Sequence, residues 1–205
     1  MSKYDVLIGI MVTIVASFSV AGCASTKVER VAVEKPVDFS GRWNDTDSRL
    51  TANTVITDAL GRTWVDDFRE QNGRKPVVIV GIIKNQTEEH INVDVFMKNL
   101  ERALIDSGKV KFVAAKDERR GVREERVAQN QEGFTNPETI TPMGQETGAD
   151  FMLIGSVNSL KDETSGRYVI LYQVNTEMVD LRTNEKVWIG QNHLKKIVTK
   201  SKYSL

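Results

Sequence analysis

The stretch PVVIVGIIKNQTEEHINVDVFMKNLERALIDSGKVKFV, residues 76–113, decides the fold. It opens with a β-branched run from Val77 to Ile83, which predicts a strand buried on both faces, as parallel strands usually are. From Val93 apolar residues recur every three or four positions after a candidate N-cap at Asn92, which predicts an amphipathic helix. Residues 109–113 then alternate with period two. Because crossovers between parallel strands are almost always right-handed, this pattern predicts a βαβ unit.

Further elements are predicted on both sides of this unit. Capping residues from Asn44 to Ser48, followed by apolar residues near helical spacing, predict a helix that ends by Gly73. The run Phe151–Ile154 predicts a second buried strand, central and parallel to the first. Two more helices are predicted, a solvated one over Lys116–Glu132 and a short one between Thr141–Pro142 and Gly148. The strands of an antiparallel hairpin are predicted to begin at Tyr168 and Val187, and the second of them to bend at Gly190. The C-terminal end is predicted to be a frayed basic tail with Lys195, Lys196, Lys200 and Lys202. The expected fold class is α/β (α+β), a mixed β-sheet with a βαβ unit and a C-terminal antiparallel hairpin, flanked by helices.

Residues 1–22 are typical of a lipoprotein signal peptide. An apolar run from Val6 to Phe18 follows Lys3 and leads to the tetrad VAGC at residues 20–23. This tetrad resembles the lipobox of bacterial lipoprotein precursors, which implies cleavage before Cys23 and acylation of its thiol, with palmitate for example. Cys23 is the only cysteine, so an internal disulfide is impossible. The alternative is an ordinary signal peptide with an incidental cysteine.

Residues 23–38 are then the lipidated cysteine and a short polar linker, and residues 39–205 a single globular domain. Several acyl chains on Cys23 would anchor the protein stably to a membrane, whereas one binds only marginally. Ala24 follows the cysteine, and its resemblance to enterobacterial sorting signals favours the outer membrane, with the domain facing the periplasm. The linker reaches at most about 50 Å at about 3.5 Å per residue, so the domain must work close to its membrane.

No catalytic, metal or cofactor site is predicted. The formal net charge is zero, which gives no electrostatic reason to bind nucleic acid. The chain lacks a nucleophile elbow and a phosphate loop, and its two histidines, His90 and His193, have no ligand spacing. Asp45 and Asp47 form a DxD pair of the kind found in some metal or sugar-nucleotide sites, but helix capping accounts for both. We therefore expect a protein that is not an enzyme and has neither a cofactor nor a small-molecule substrate.

Five stretches resemble, in chain order, the LpoB-type penicillin-binding protein activators. They are residues 39–50 (FSGRWNDTDSRL), 80–91 (VGIIKNQTEEHI), 104–113 (LIDSGKVKFV), 148–155 (GADFMLIG) and 179–190 (VDLRTNEKVWIG). The resemblance runs from about Phe39 to Val198. It implies a domain similar to the N-terminal domain of TolB. It also implies an outer-membrane lipoprotein that binds and stimulates a bifunctional peptidoglycan synthase, a penicillin-binding protein, and so regulates cell-wall synthesis.

The candidate partner-binding site is the polar and aromatic cluster nearest the tether, Trp43, Asp45, Asp47 and Arg49. The best-known family members carry a long proline-rich linker, whereas this chain has only the short one described above, so its reach is smaller. An activator would act by binding the synthase and shifting it towards a more active conformation. The alternative is an envelope assembly or secretion subunit like the CsgG curli-secretion lipoproteins. A hairpin inserted in the membrane would favour that alternative.

Overall fold

A computed structural model describes residues 28–131 and 133–199. The chain divides into two compact units, residues 1–35 and residues 36–205. In the described part of the first unit, residues 28–35, the backbone forms a turn in which Lys35 N donates to Ala32 O at 3.1 Å. The predicted signal peptide and the lipidation site at Cys23 lie outside the described residues.

The second unit is a mixed sheet with helices. Its described elements are α1 (Asp45–Leu60), α2 (Trp64–Asn72), β1 (Val77–Gln86), α3 (Val93–Asp106), β2 (Lys111–Phe112), α4 (Lys116–Gln131), a 3₁₀ turn (Pro137–Thr139), β3 (Phe151–Thr164), β4 (Arg167–Asp180) and β5 (Lys186–Thr199). The strand order is β2-β1-β3-β4-β5. β1 is parallel to β2 and β3, while β3, β4 and β5 pair antiparallel. The predicted mixed sheet, βαβ unit and C-terminal hairpin are confirmed.

One face of the sheet packs against α1 and α3. Each helix begins at a capping asparagine, since Asn44 Oδ1 accepts from Asp47 N at 3.0 Å and Asn92 Oδ1 accepts from Asp94 N at 3.1 Å. Alternate strand residues point into this contact because side chains of a strand alternate between its faces. The fully buried side chains include Phe96, Leu100, Leu104, Leu153, Tyr172 and Met178. The core of the domain therefore lies on this side of the sheet.

Among the described residues the other face of the sheet is exposed, so the prediction that the first strand is buried on both faces is wrong. Ile82 in β1 is 69% exposed and Ile79 is half-buried. The pairing of β1 with β3 shifts between Val80 and Ile83, which marks a β-bulge in β1. A continuous apolar run does not distinguish a strand covered on two faces from one covered on a single face, because both can be rich in β-branched residues.

The helix predicted to run from Asn44 to Gly73 is two helices, with a break at Gly61. Glycine is a poor helix former, and the change of direction buries Trp64 and Val65 at the start of α2. The Trp64 indole Nε1 donates back to Ala59 O at 2.8 Å, which fixes the second helix against the first. Tertiary packing therefore overrides the continuous helical pattern.

Three smaller predictions in the second half of the chain are also wrong. Residues 141–148 form no helix, because so short and polar a segment cannot offset the cost of helix nucleation. β5 continues through Gly190 instead of bending there. A side chain at that position would collide with the Trp188 ring, since a built Cβ lies 2.1 Å from it. Lys196 belongs to β5 and is mostly buried rather than part of a frayed tail.

The predicted solvated helix is confirmed as α4, which contains no buried residue. It is joined to α3 by the ion pair of Glu118 with Lys98, and three of its arginines surround Glu146. Within the ranges that the structure describes, no helix is both long and apolar enough to cross a membrane.

Candidate functional site

Trp43, the first residue of the candidate cluster, is half-buried and packs against the core. Its indole Nε1 donates to Ser48 Oγ at 2.6 Å, and its backbone N donates to Glu89 Oε2 at 3.2 Å. The ring stands edge-on to Phe96 and to Tyr172, with centroid distances of 6.0 and 5.4 Å. Such edge-to-face pairs add packing energy beyond simple burial. Trp43 therefore holds the start of α1 on the sheet and presents only part of its surface outwards.

Asp47 is buried and fastens the strap, which we define as residues 38–44, to the edge of the sheet. Its Oδ2 lies 2.6 Å from Lys196 Nζ and accepts from Asn44 N at 3.0 Å. Lys196 Nζ also donates to Asp38 Oδ1 at 2.7 Å. Burial raises the pKa of the Asp47 carboxyl, and the lysine offsets only part of that effect. Asp47 is thus a structural residue, and its buried carboxylate is stabilised by the ammonium of Lys196.

Lys196 projects from β5 onto the helix side of the sheet, with only 11% of its side chain exposed. Burial lowers its pKa, but the hydrogen bonds and charges of Asp38 and Asp47 raise it by more, so the pKa lies above its ordinary value. The ammonium also donates to Arg42 O at 3.1 Å. One cation therefore joins the strap, the first turn of α1 and β5.

Glu89 is a second connection that the sequence did not reveal. Its Oε1 accepts from the Tyr172 hydroxyl at 2.6 Å, while Oε2 accepts from Trp43 N. Burial, followed by the hydrogen bond to Glu89, raises the pKa of Tyr172 far above its ordinary value, so the hydroxyl remains a donor. The two residues are 83 positions apart, and no local motif connects them. The only sequence signal was the polar character of a loop next to buried strands.

Asp45 and Arg49 are the members of the candidate cluster best placed to meet a partner. Asp45 is exposed in the first turn of α1, and Arg49 is half-buried. Within the described part of the chain, the Arg49 Nε is buried and has no hydrogen-bond partner. Residues four apart lie on one face of a helix, so these two side chains are neighbours. The structure thus brings all four candidates together: Trp43 and Asp47 are used by the fold, Asp45 is exposed and Arg49 is partly exposed.

A cavity of about 740 Å³ lies between α2 and the turn joining β4 to β5. Phe68 and Phe151 form part of its wall, with ring centroids 5.4 Å apart. Arg74 lies 5.0 Å over the Phe68 ring and donates two hydrogen bonds to Asp150, at 2.6 and 2.7 Å. These bonds hold the pKa of Asp150 below its ordinary value. Asp150 also accepts from Val77 N at 2.8 Å, so this pair connects the start of β1 to the start of β3.

The described ranges contain no group of three or more histidine, cysteine, aspartate or glutamate side chains placed to hold a metal ion. His90 and His193 are both exposed, on a loop and on β5 respectively. The contacts found around the strap join structural elements of the domain to one another.

The family model of the peptidoglycan-synthase activator LpoB matches residues 47–194. Among solved structures, the LpoB C-terminal domain from Escherichia coli is 18% identical, with a TM-score of 0.41, over 72% of this chain and 98% of that one. The corresponding Salmonella enterica domain is 18% identical, with a TM-score of 0.40 and the same coverage. Lipoprotein GNA1162 from Neisseria meningitidis is 19% identical, with a TM-score of 0.39, over 62% of this chain and 88% of that one. A search of curated proteins found no match.

The matched range begins in the first turn of α1 and ends in β5, so it includes α1 to α4 and all five strands in whole or in part. It covers well over half of the sequence. The chain therefore belongs to the family of the peptidoglycan-synthase activator LpoB.

Proposed function

We propose that this protein is a lipid-anchored, non-catalytic activator that binds and stimulates a bifunctional peptidoglycan synthase, a penicillin-binding protein. The observation that carries the proposal is the family match over residues 47–194, because it spans nearly the whole folded unit. The family is described as one of peptidoglycan-synthase activators. The protein would act by binding the active conformation of the synthase more tightly than the inactive one, which shifts the population towards activity.

Asp45 and Arg49 are the residues we propose for contact with the synthase. They are polar, lie on one face of α1 and do not participate in the hydrogen bonds that hold the strap. Trp43 and Asp47 would support that surface from below, since both are tied to the sheet through Glu89 and Lys196. Changes at the first pair should therefore affect binding alone, and changes at the second pair should affect folding as well.

The anchor we propose is an acylated Cys23 in the outer membrane, with the domain in the periplasm. Twelve residues, 24–35, lie between this cysteine and the compact unit that begins at Pro36. At about 3.5 Å per residue they reach at most about 42 Å, so the synthase must come close to that membrane.

The first experiment adds purified residues 36–205 to the cognate synthase and measures glycan polymerisation and peptide crosslinking. We expect the rate to rise and to saturate with concentration, and no product to be released from peptidoglycan alone. Asp45→Arg should weaken the stimulation. Asp67→Arg, which changes an exposed carboxylate in α2, is the matched control and should leave stimulation unchanged. A domain that neither binds nor stimulates any synthase from the same cells would contradict the proposal.

The second experiment tests the anchor and its reach in cells. Deleting Glu29 to Lys35 removes about 25 Å of maximum span and should abolish activation while lipidation and folding persist. Inserting a flexible stretch of similar length should be tolerated, because doubling a loop costs only about 0.6 kcal/mol. If the shortened linker supports activation as well as the natural one, the outer-membrane position or the proposed reach is wrong.

A further inference from the structure

The cavity between α2 and the turn that joins β4 to β5, which we call the distal pocket, has an apolar wall. That wall consists of the side chains of Trp64, Phe68, Phe151, Leu181 and Val187. Phe151 stands edge-on to the other two rings, with centroid distances of 4.8 Å to Trp64 and 5.4 Å to Phe68. The cavity volume of about 740 Å³ lies within the range of about 300–1,000 Å³ that is typical of sites enclosing an organic ligand.

Carboxylates dominate the charge of the distal pocket. Among the residues that the structure describes, its lining contains four carboxylates and two guanidinium groups, which belong to Asp67, Asp150, Asp180, Glu185, Arg74 and Arg182. Two hydrogen bonds join Arg74 to Asp150 and neutralise this pair, which leaves three carboxylates and one guanidinium group. A cleft lined by an excess of one sign of charge attracts ligands of the opposite sign. The distal pocket therefore favours a cation.

Hydrogen bonds within the turn hold one side of the pocket in place. Asp180 Oδ1 accepts from Arg182 N at 2.7 Å and from Thr183 N at 2.9 Å. Glu185 Oε2 accepts from Thr183 Oγ1 at 3.0 Å, and Asp180 N donates to Glu185 O at 2.8 Å. These contacts position two of the carboxylates before a ligand arrives, and a preorganised site loses less conformational entropy on binding.

The protein already places one of its own guanidinium groups against this wall. Arg74 lies 5.0 Å over the Phe68 ring and has Asp150 as its carboxylate partner. A lysine or arginine side chain from outside would meet the same combination, an apolar surface for its methylene groups and carboxylates for its charge. Asp67 on α2 and Glu185 on the turn are both exposed, one on each side of the pocket, so both can reach that charge.

The distal pocket lies at the end of the sheet away from the strap. Val187 lines the pocket at the start of β5, whereas Lys196, nine positions later in the same strand, binds the strap. At about 3.3 Å per residue these two positions are about 30 Å apart. The pocket is thus a different surface from Asp45 and Arg49, the contact proposed for the synthase.

We propose that the distal pocket binds a lysine or arginine side chain of a partner polypeptide together with an adjacent apolar residue. The basic group would lie between Asp67 and Glu185, and the apolar residue would pack on the aromatic wall. Because that wall is apolar, the occupant needs apolar groups as well as a positive charge, which an inorganic cation lacks. The proposal does not rest on the function proposed above, since it concerns another surface and is tested without a synthase.

The first test titrates the isotope-labelled full chain, in non-ionic detergent, with the capped tetrapeptide Gly-Leu-Arg-Gly and follows nuclear magnetic resonance shifts. We expect saturable shifts of the Trp64 indole N–H and the Gln71 side-chain amide, both of which line the pocket. The same peptide with citrulline, a neutral isostere of arginine, should give none. Replacing its leucine by glycine should weaken binding at least about three-fold, because apolar contact is lost. Equal shifts with arginine and citrulline, or no saturable shift with arginine, would overturn the proposal.

The second test neutralises the rim of the pocket. The double variant Asp67→Asn and Glu185→Gln should raise the dissociation constant of the arginine peptide at least about five-fold, because two exposed ionic contacts are lost. Asp66→Asn with Glu70→Gln removes as much charge from exposed positions of α2 outside the pocket and is the matched control. All four side chains are exposed, so both double variants should keep the thermal unfolding of the unaltered chain. Equal dissociation constants of the two double variants would refute a site in this pocket.

Single charge reversals separate this site from the proposed synthase contact. Asp67→Arg should abolish binding of the arginine peptide while leaving stimulation of the synthase unchanged. Asp45→Arg should do the reverse, weakening stimulation and leaving peptide binding unchanged. Loss of peptide binding in Asp45→Arg, or normal peptide binding in Asp67→Arg, would contradict the distal pocket whatever the outcome of the stimulation experiment.

Discussion

Two neighbouring lysines should differ greatly in their contribution to stability. Lys195→Met removes an exposed charge from β5 and should change the free energy of unfolding by no more than about 0.5 kcal/mol. Lys196→Met removes the cation that lies 2.6 Å from Asp47 and 2.7 Å from Asp38. Asp47 is 7% exposed and would keep only its hydrogen bond from Asn44 N. Breaking a buried pair in this way costs about 3 to 5 kcal/mol.

The size of this loss should depend on pH in a predictable direction. Burial already raises the pKa of Asp47 above its ordinary value, and removing Lys196 should raise it further. The folded variant then binds more protons than the unfolded chain at mildly acidic pH, so lowering the pH favours the folded state. Urea unfolding of residues 36–205 should therefore show a smaller gap between the unaltered domain and Lys196→Met near about pH 5 than near neutrality.

A double substitution separates the buried charge from the loss of packing. Adding Asp47→Asn to Lys196→Met removes the unpaired carboxylate and should recover part of the lost stability, because a neutral amide costs less to bury. The reasoning is refuted if Lys195→Met and Lys196→Met destabilise equally, or if the loss in Lys196→Met is below about 1 kcal/mol at neutral pH, since a buried ion pair cannot then hold the strap.

Three further predictions concern the core, α4 and the anchor. Leu153→Ala should cost about 2 to 5 kcal/mol in urea unfolding because Leu153 is fully buried. Ile82→Ala, on the exposed face of the sheet, should cost less than about 0.5 kcal/mol. Equal losses would contradict a core on one side of the sheet. Glu146→Gln should speed hydrogen exchange in α4. The hydrogen bond from Arg123 lowers the Glu146 pKa to about 2. The contribution of the Glu146 carboxylate to stability is therefore fully present above its ordinary pKa of 4.5 and is lost as the pH falls through about 2. Unchanged exchange in Glu146→Gln would show that Glu146 does not hold α4 in place. Cys23→Ala should abolish palmitate labelling, and undiminished labelling would place the lipid elsewhere.

Local signals predicted most of the secondary structure correctly. The caps at Asn44 and Asn92, the β-branched run after Pro76 and the helical spacing after Val93 act over a few residues, so the order of neighbours is sufficient to specify them. One exception is Gly61, where the helical pattern continues but the chain turns to bury the next aromatic residue. Others are residues 141–148, which form no helix, and Gly190, through which β5 continues.

The candidate site shows the limit of that local information. Trp43, Asp45, Asp47 and Arg49 were found together because they are close in the sequence. Their roles depend on residues that are distant in the sequence, and no spacing rule connects these to the cluster. The structure therefore separates the members of the cluster that hold the fold together from those that are exposed. Composition and sequence pattern do not predict that difference.

The sequence by itself determined the βαβ unit, the hairpin, the lipobox-like tetrad and the membership of a family, because each is encoded in contiguous or regularly spaced residues. Only the tertiary structure decided which face of the sheet is covered and which lysine is buried. Lys196 and Asp38 are 158 positions apart, yet one hydrogen bond joins them. Burial and ion pairing depend on which distant segments meet, and that depends on the packing of α1 and α3 on one side of the sheet rather than on the neighbours of any residue in the chain.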